Sequence, residues 1–300
     1  MSDNLPDKPG NASQGRAESQ RRRAIAQRVA DAHAALDPIT SMLFGSTVAD
    51  IADAQSDIDM SVVFETMPSI DTLIAACASI GGAPWTWRND SADDASLAVG
   101  FDVEGIEVQI AYTERRILDA DLDTLLVAHD PKTLNHKVAE GLLKAEALLH
   151  AQNLRPWQAR AAQFPQGLSD AMLRHYLGEP TPWRWFTLLL DRDSVLWCRE
   201  LEVQACYRLI GTLAGLNHRY FCTWQFKRMR RFVDALALAP PALADRIEAL
   251  LAAPLPRSFA MLYALEGEVL DLVAAHAPQI DLTAVRQRRT RWVPPPEPAR

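Results

Sequence analysis

Two aspartates separated by one residue, Asp57-Ile58-Asp59, stand eleven positions beyond a glycine–serine pair, Gly45-Ser46. Each pair sits at the edge of an apolar run: Ile39 to Phe44 before the glycine, Met60 to Phe64 after the second aspartate. Residues two apart on a strand project from the same face. A strand over residues 57–64 therefore presents both carboxylates side by side and turns Ile58 and Met60 toward a core. Two like charges that close disfavour their own ionisation unless a cation lies between them. Hard oxygen donors on a rigid strand suit Mg²⁺, which takes one or two carboxylates and completes its shell with water and substrate phosphates. Glycine lets a backbone approach a phosphate closely, and the Ser46 hydroxyl or a backbone N–H can donate to it. The chemistry these residues point to is metal-assisted work on a phosphate.

The elements that must position them begin with a helix. Arg21-Arg22-Arg23 opens a helical pattern in which Ile25, Val29, Ala32 and Leu36 share a face; the basic run reads as a solvated helix start. Pro38 ends that helix. Strands are predicted over 39–44 and 57–64, with the acids of the connecting loop, Asp50 and Asp53, solvated. Ser69 is placed to cap a helix over 69–80 that Gly81-Gly82 stops. Pro84-Trp85-Thr86-Trp87 begins a less regular stretch. Two further strands, 96–103 and 106–112, are joined by Glu104-Gly105, a hairpin-type turn. On the second of these Glu107 and Gln109 share one face, and Ile106, Val108 and Ile110 the other.

The Gly-Ser, loop, Asp-x-Asp pattern over Leu43 to Phe64 resembles the signature of the nucleotidyltransferase superfamily with a polymerase-β-type catalytic domain. The resemblance implies that Gly45 and Ser46 hold a nucleotide triphosphate and that Asp57 and Asp59 bind two divalent ions, Mg²⁺, for in-line transfer. It also implies a third carboxylate on a neighbouring strand, completing the metal site and helping to deprotonate the attacking hydroxyl. Glu107 is the acid on that face. Gln109 stands where an aspartate would be equally natural, and with Gln109 in that place the site lacks its base.

Beyond Thr113 the patterning is helical: 118–127, 132–150, 156–163, 169–177, a long region after Trp183 and Trp185, and helices over 242–252 and 257–276. The segment Asn217 to Arg231 carries Asn217, Tyr220 and a basic cluster, Lys227, Arg228, Arg230 and Arg231. A triphosphate needs cations that paired aspartates cannot supply. This segment looks like part of the C-terminal helical domain of bacterial nucleotidyltransferases, which implies that Asn217, Tyr220 and Lys227 line the nucleotide or acceptor cleft.

The fold class expected is α+β, a mixed sheet with flanking helices followed by an all-helical domain. The boundaries expected are a disordered tail over 1–20, a catalytic domain over 21–125, a helical domain over 126–280 and a flexible tail over 281–300. With 48% hydrophobic residues the chain of 300 can bury a full core. No apolar run approaches the ~18 residues of a membrane span, and the first twenty residues lack the apolar centre of a secretory signal. Cys77, Cys198, Cys206 and Cys222 have no metal-type spacing and read as reduced thiols, which places the protein in the cytoplasm. A net charge of −7 argues against nucleic acid as a partner. The function expected is transfer of a nucleoside monophosphate, AMP from ATP, to a hydroxyl on a small molecule or a protein. The alternative is a catalytically silent nucleotide-binding protein, or one half of a toxin–antitoxin-type pair.

Overall fold

The computed structural model describes residues 9–91, 95–179, 181, 183, 188–189, 192–224 and 226–290, with side chains from residue 13 onward. It is α+β: a mixed six-stranded sheet with helices, followed by a helical C-terminal region. The chain divides into two compact units. One holds residues up to 123 together with 138–163; the other holds 124–137 together with 164 onward.

The first unit runs α1 (Pro9–His33), β1 (Thr40–Leu43), the single-turn α2 (Gly45–Val48), β2 (Ile58–Phe64), α3 (Ile70–Ala78), β3 (Trp87–Asp90), β4 (Ser96–Val103), β5 (Ile106–Glu114) and α4 (Arg115–Leu126). It is completed by most of α5 (Asn135–Lys144), β6 (Glu146–Leu149) and α6 (Ala151–Ala161). The sheet order is β3-β4-β5-β2-β1-β6. Only the β2–β5 pair is parallel. The β4–β5 hairpin turns through Glu104 and Gly105, both at positive φ (57° and 78°), the conformation a two-residue type I′ turn requires. Ser69 caps α3 as its sequence position predicts, its hydroxyl accepting from the Thr72 N–H.

Alternation on the central strands sets the register. Ile58, Met60, Val62 and Phe64 of β2, Val108, Ile110 and Tyr112 of β5 and Val99, Phe101 and Val103 of β4 form one buried cluster with Ile25, Ala26, Val29 and Ala30 of α1 and Leu73 and Cys77 of α3. Each Val, Leu, Ile, Phe or Met side chain among them contributes roughly 1.5–3 kcal/mol by leaving water. A one-residue slip would reverse every strand face, so this cluster is what holds Asp59 on the opposite side. Behind it His33 is fully buried, its Nδ1–H donating to the Val29 carbonyl and its Nε2 paired with the Tyr112 hydroxyl at 2.8 Å.

Several expectations are corrected here. Residues 9–20 are not a disordered tail but the first half of α1. Residues 132–150 are not one helix: α5 stops at Lys144 and Glu146–Leu149 pairs antiparallel with β1, Leu43 opposite Glu146 and Ser41 opposite Leu149. The apolar Ala147-Leu148-Leu149 run suits either state by itself; the open edge of β1 decides it. Consequently the first unit does not end near 125 but takes in β6 and α6. The stretch Trp87–Asp90, which shows no regular pattern, is the edge strand β3.

The second unit contains α7 (Gln166–Gly178), α8 (Val195–Leu216), α9 (Met229–Val233), α10 (Leu243–Ala252), α11 (Leu255–His276) and α12 (Thr283–Thr290). Leu173 and Leu177 of α7, Leu216 of α8, Leu270 and Val273 of α11 and Ala277, Ile280 and Leu282 beyond it form its core. The flexible tail expected from 281 is corrected over 283–290, which is α12. There the Arg289 guanidinium lies 3.6 Å from the Tyr263 ring centre and pairs with the buried Glu266. Cys198 and Cys206 share α8, and all four cysteines are free. Trp185 lies outside the described residues. No helix among the described residues is long and apolar enough to cross a membrane.

Candidate active site

The glycine–serine turn and the second aspartate meet. Gly45 follows β1 at φ 69°, and a Cβ there would fall 2.3 Å from Asp59 Oδ2. The position therefore demands glycine twice, for its backbone conformation and for the approach of the carboxylate. The Phe44 N–H donates to the Asp59 carbonyl at 2.9 Å, tying the turn to β2. Ser46 is half-buried, and Thr47 beside it is buried with its hydroxyl unpartnered. Asp57 lies immediately before β2; it and Asp59 are both half-buried, on the face opposite Ile58 and Met60.

The neighbouring strand brings Gln109, not Glu107, level with Asp59. In the parallel β2–β5 ladder Asp59 pairs with Gln109, Ile58 with Val108 and Met60 with Ile110. Gln109 in turn lies opposite Gly100, and Gly100 opposite Trp87. One row across the exposed face thus reads Asp59, Gln109, Gly100, Trp87. The Trp87 ring lies on Gly100, where a Cβ would come within 2.0 Å of the indole nitrogen. From there its Nε1–H donates to Glu107 Oε1 at 2.7 Å. Glu107 stands two residues along β5 from Gln109, on the same face and exposed. Among the described residues no group of three or more His, Cys, Asp or Glu side chains is placed to hold a metal ion.

The donor set therefore fits an ion that takes two carboxylates and fills its remaining positions with water and phosphate oxygens, as Mg²⁺ does. Asp57 and Asp59 would be those two carboxylates. Glu107 does not join them into a three-acid cluster.

The loop between the glycine and the aspartates is held by α1, a role the sequence pattern alone did not disclose. Arg22 is 1% exposed. Its Nε donates to the Ser56 carbonyl at 2.9 Å, one residue before Asp57, and its Nη1 pairs with Glu18. Arg23 donates to Asp50 at 2.6 Å, to Glu146 at 2.9 Å and to the Val48 carbonyl at 3.2 Å. The Ala52 N–H donates to the hydroxyl of fully buried Ser19 at 3.2 Å. The Arg21-Arg22-Arg23 run is thus not a solvated helix start: two of its three members clamp residues 48–56. The faint signal was position: Arg22 lies three residues before Ile25 and seven before Val29, on the buried stripe of α1. Asp53 caps its own loop, accepting from the Gln55 N–H and the Ser56 hydroxyl.

The remaining expected site residues lie in the second unit, and two of them are occupied by its own structure. Asn217, the residue closing α8, donates from Nδ2 to the carbonyls of Leu213 and Leu238 and accepts the Leu238 N–H at Oδ1, all at 2.8 Å. Both ends of its amide join α8 to the chain twenty-one residues on. Tyr220 is 2% exposed, its ring 4.9 Å from Phe164 and 5.9 Å from His136. Lys227 is exposed. In the same cluster Arg230 pairs with Asp245 and Glu248 of α10.

Beneath Tyr220, His136 is fully buried. Its Nδ1 accepts the Phe221 N–H and its Nε2–H donates to the Asp130 carbonyl, each at 3.3 Å. Burial pushes its pKa down to about 4, only partly offset by that carbonyl and by the Asp130 charge.

No protein-family model matches the chain, and no curated protein does. Among solved structures, a nucleotidyltransferase-like protein from Exiguobacterium sibiricum 255-15 is similar over 87% of this chain and 77% of that chain, at 12% sequence identity and a TM-score of 0.38. A likeness that distant carries no argument about activity.

Proposed function

We propose that the first unit is a metal-dependent nucleotidyltransferase that moves a nucleoside monophosphate, AMP from ATP, to a hydroxyl of a small molecule or protein. One observation carries this reading: the backbone at Gly45 is pressed against the Asp59 carboxylate. A turn able to admit a phosphate and a carboxylate able to hold its counter-ion occupy one place. Asp57 and Asp59 hold the Mg²⁺, which when bound offsets charge on the transferring phosphoryl group. The Gly45-Ser46 turn meets the triphosphate beside them, and Ser46 donates to it. The acceptor oxygen forms its bond to the α-phosphorus as the bond to pyrophosphate breaks, and the hydroxyl proton passes to a base. Titration with ATP, with and without Mg²⁺, followed by a pyrophosphate-release assay over a panel of hydroxyl acceptors, tests the reading. Asp57→Asn and Asp59→Asn each abolish Mg²⁺-dependent ATP binding; intact binding in both variants sinks it.

A second reading, a nucleotide-binding protein without transfer activity, is favoured by the β2–β5 register. Gln109 stands beside Asp59 and cannot accept a proton, and the acid on that face of β5, Glu107, is engaged by Trp87. Saturable MgATP binding with no pyrophosphate released against any acceptor selects this reading over transfer.

A further inference from the structure

The helical unit holds a partly open cavity of about 410 Å³, large enough for a small organic molecule. It lies wholly within that unit and does not depend on the aspartates of the first. Its walls come from residues 131–134, from the end of α7 and from the middle of α8.

Arg208 of α8 stands between this cavity and a smaller one of about 20 Å³, and lines both. Its Nη2 is sealed from solvent and has no hydrogen-bond partner. An unsatisfied buried donor is costly, and a charged one more so. Desolvation lowers the pKa of this guanidinium; Glu179 and Glu266 oppose that through space. Beside it the Tyr176 ring lies against α8 at Gly211, where a Cβ would come within 2.5 Å of the ring. Tyr207 adds a second aromatic wall and Lys132, exposed, a second cation. Among the described residues Glu179 is the one acid lining the cavity, and burial lowers the pKa of His175. Lys132 and Arg208 against Glu179 leave one net positive charge among the residues lining the cavity, with Glu266 acting on Arg208 from the smaller cavity.

We infer that this cavity binds a small aromatic monoanion, its charged end meeting Arg208 and its ring lying between Tyr176 and Tyr207. The Arg208 guanidinium, where it lines the cavity, supplies a charge-assisted bond, and the flanking rings supply apolar area at low conformational cost.

The full-length protein is titrated with benzoate, benzamide and inorganic phosphate by saturation-transfer NMR for the two aromatics and by calorimetry for all three. Benzoate binds saturably, while the neutral amide and the ring-free anion do not. Arg208→Gln weakens benzoate at least tenfold. Should that variant fail to fold, Tyr207→Ala and exposed Lys132→Gln decide, each weakening benzoate severalfold. Asp59→Asn leaves benzoate binding unchanged, which separates this site from the nucleotide reading. Absence of benzoate binding, equal binding of benzamide or phosphate, or benzoate affinity unmoved by the folded cavity variants overturns the inference.

Discussion

His136 makes the helical unit sensitive to acid, and the size of the effect comes from its surroundings. In the folded chain the imidazole is fully buried, with Nδ1 facing the Phe221 N–H and Nε2–H facing the Asp130 carbonyl. Protonation at Nδ1 would set two donors against each other in a buried site. Its folded pKa is about 4, against an ordinary value of 6.5. Between those values the unfolded chain holds a proton that the folded chain does not. Stability therefore rises with pH across that window and is lost as pH falls from about 6.5 to about 4. At about 1.4 kcal/mol per pKa unit the gap amounts to ~3 kcal/mol, a large share of the roughly 5–15 kcal/mol typical of a domain. His33 and His175 are also lowered by burial, so the wild-type dependence is steeper than one group gives. The contribution of His136 is isolated by difference. Asn at 136 can still accept the Phe221 N–H but cannot titrate. Urea unfolding of wild type and His136→Asn at about pH 7.5, 6 and 5 should show the stability gap between them narrowing as pH falls. A histidine ring resonance assigned to His136 should stay unprotonated until the pH nears about 4. A His136 titration midpoint near the ordinary 6.5, or parallel pH profiles for the two proteins, refutes the reasoning.

The same geometry sets four further outcomes. Gly45→Ala must hold a non-glycine residue at positive φ and push aside the Asp59 carboxylate; a loss of about 1–3 kcal/mol in unfolding free energy and at least tenfold weaker MgATP binding are expected. Arg22→Met removes the bond to Ser56 and leaves Glu18 unpaired, lowering stability by about 1–3 kcal/mol and exposing residues 48–56 to limited proteolysis. Asn217→Leu leaves the Leu238 N–H and carbonyl without their side-chain partner, while the Leu213 carbonyl keeps the backbone N–H of residue 217, lowering the urea midpoint by an amount equivalent to about 1–3 kcal/mol with MgATP affinity unchanged. Gln109→Asp sets a carboxylate level with Asp59 and should raise pyrophosphate release at least tenfold; a release rate no higher than wild type counts against Gln109 as the limit on transfer.

By itself the sequence determined the features that rest on neighbours in the chain. Period-two alternation through Ile58, Met60, Val62 and Phe64 marks β2 and puts Asp59 on its other face. The Glu104-Gly105 turn sets the β4–β5 hairpin, and Ser69 caps α3. Gly-Ser and Asp-x-Asp pair as one candidate site because their spacing resembles the nucleotidyltransferase signature, not because composition or periodicity joins them. The tertiary structure alone decided what depends on partners distant in sequence. Residues 146–149 become a strand only because β1 has an open edge to receive them, and this moves the division between the units. The Arg22 and Arg23 side chains become clamps only where the loop over 48–56 lies beneath α1, which begins inside a segment whose composition reads as disordered. Asn217 and Tyr220 carry site-like chemistry by type, yet their partners, Leu238, Phe164 and His136, hold them within the helical core. The β2–β5 register, joining strands about fifty residues apart, set Gln109 beside Asp59. No local pattern could choose between Gln109 and Glu107, because both share one face of β5 and only pairing with another strand distinguishes them.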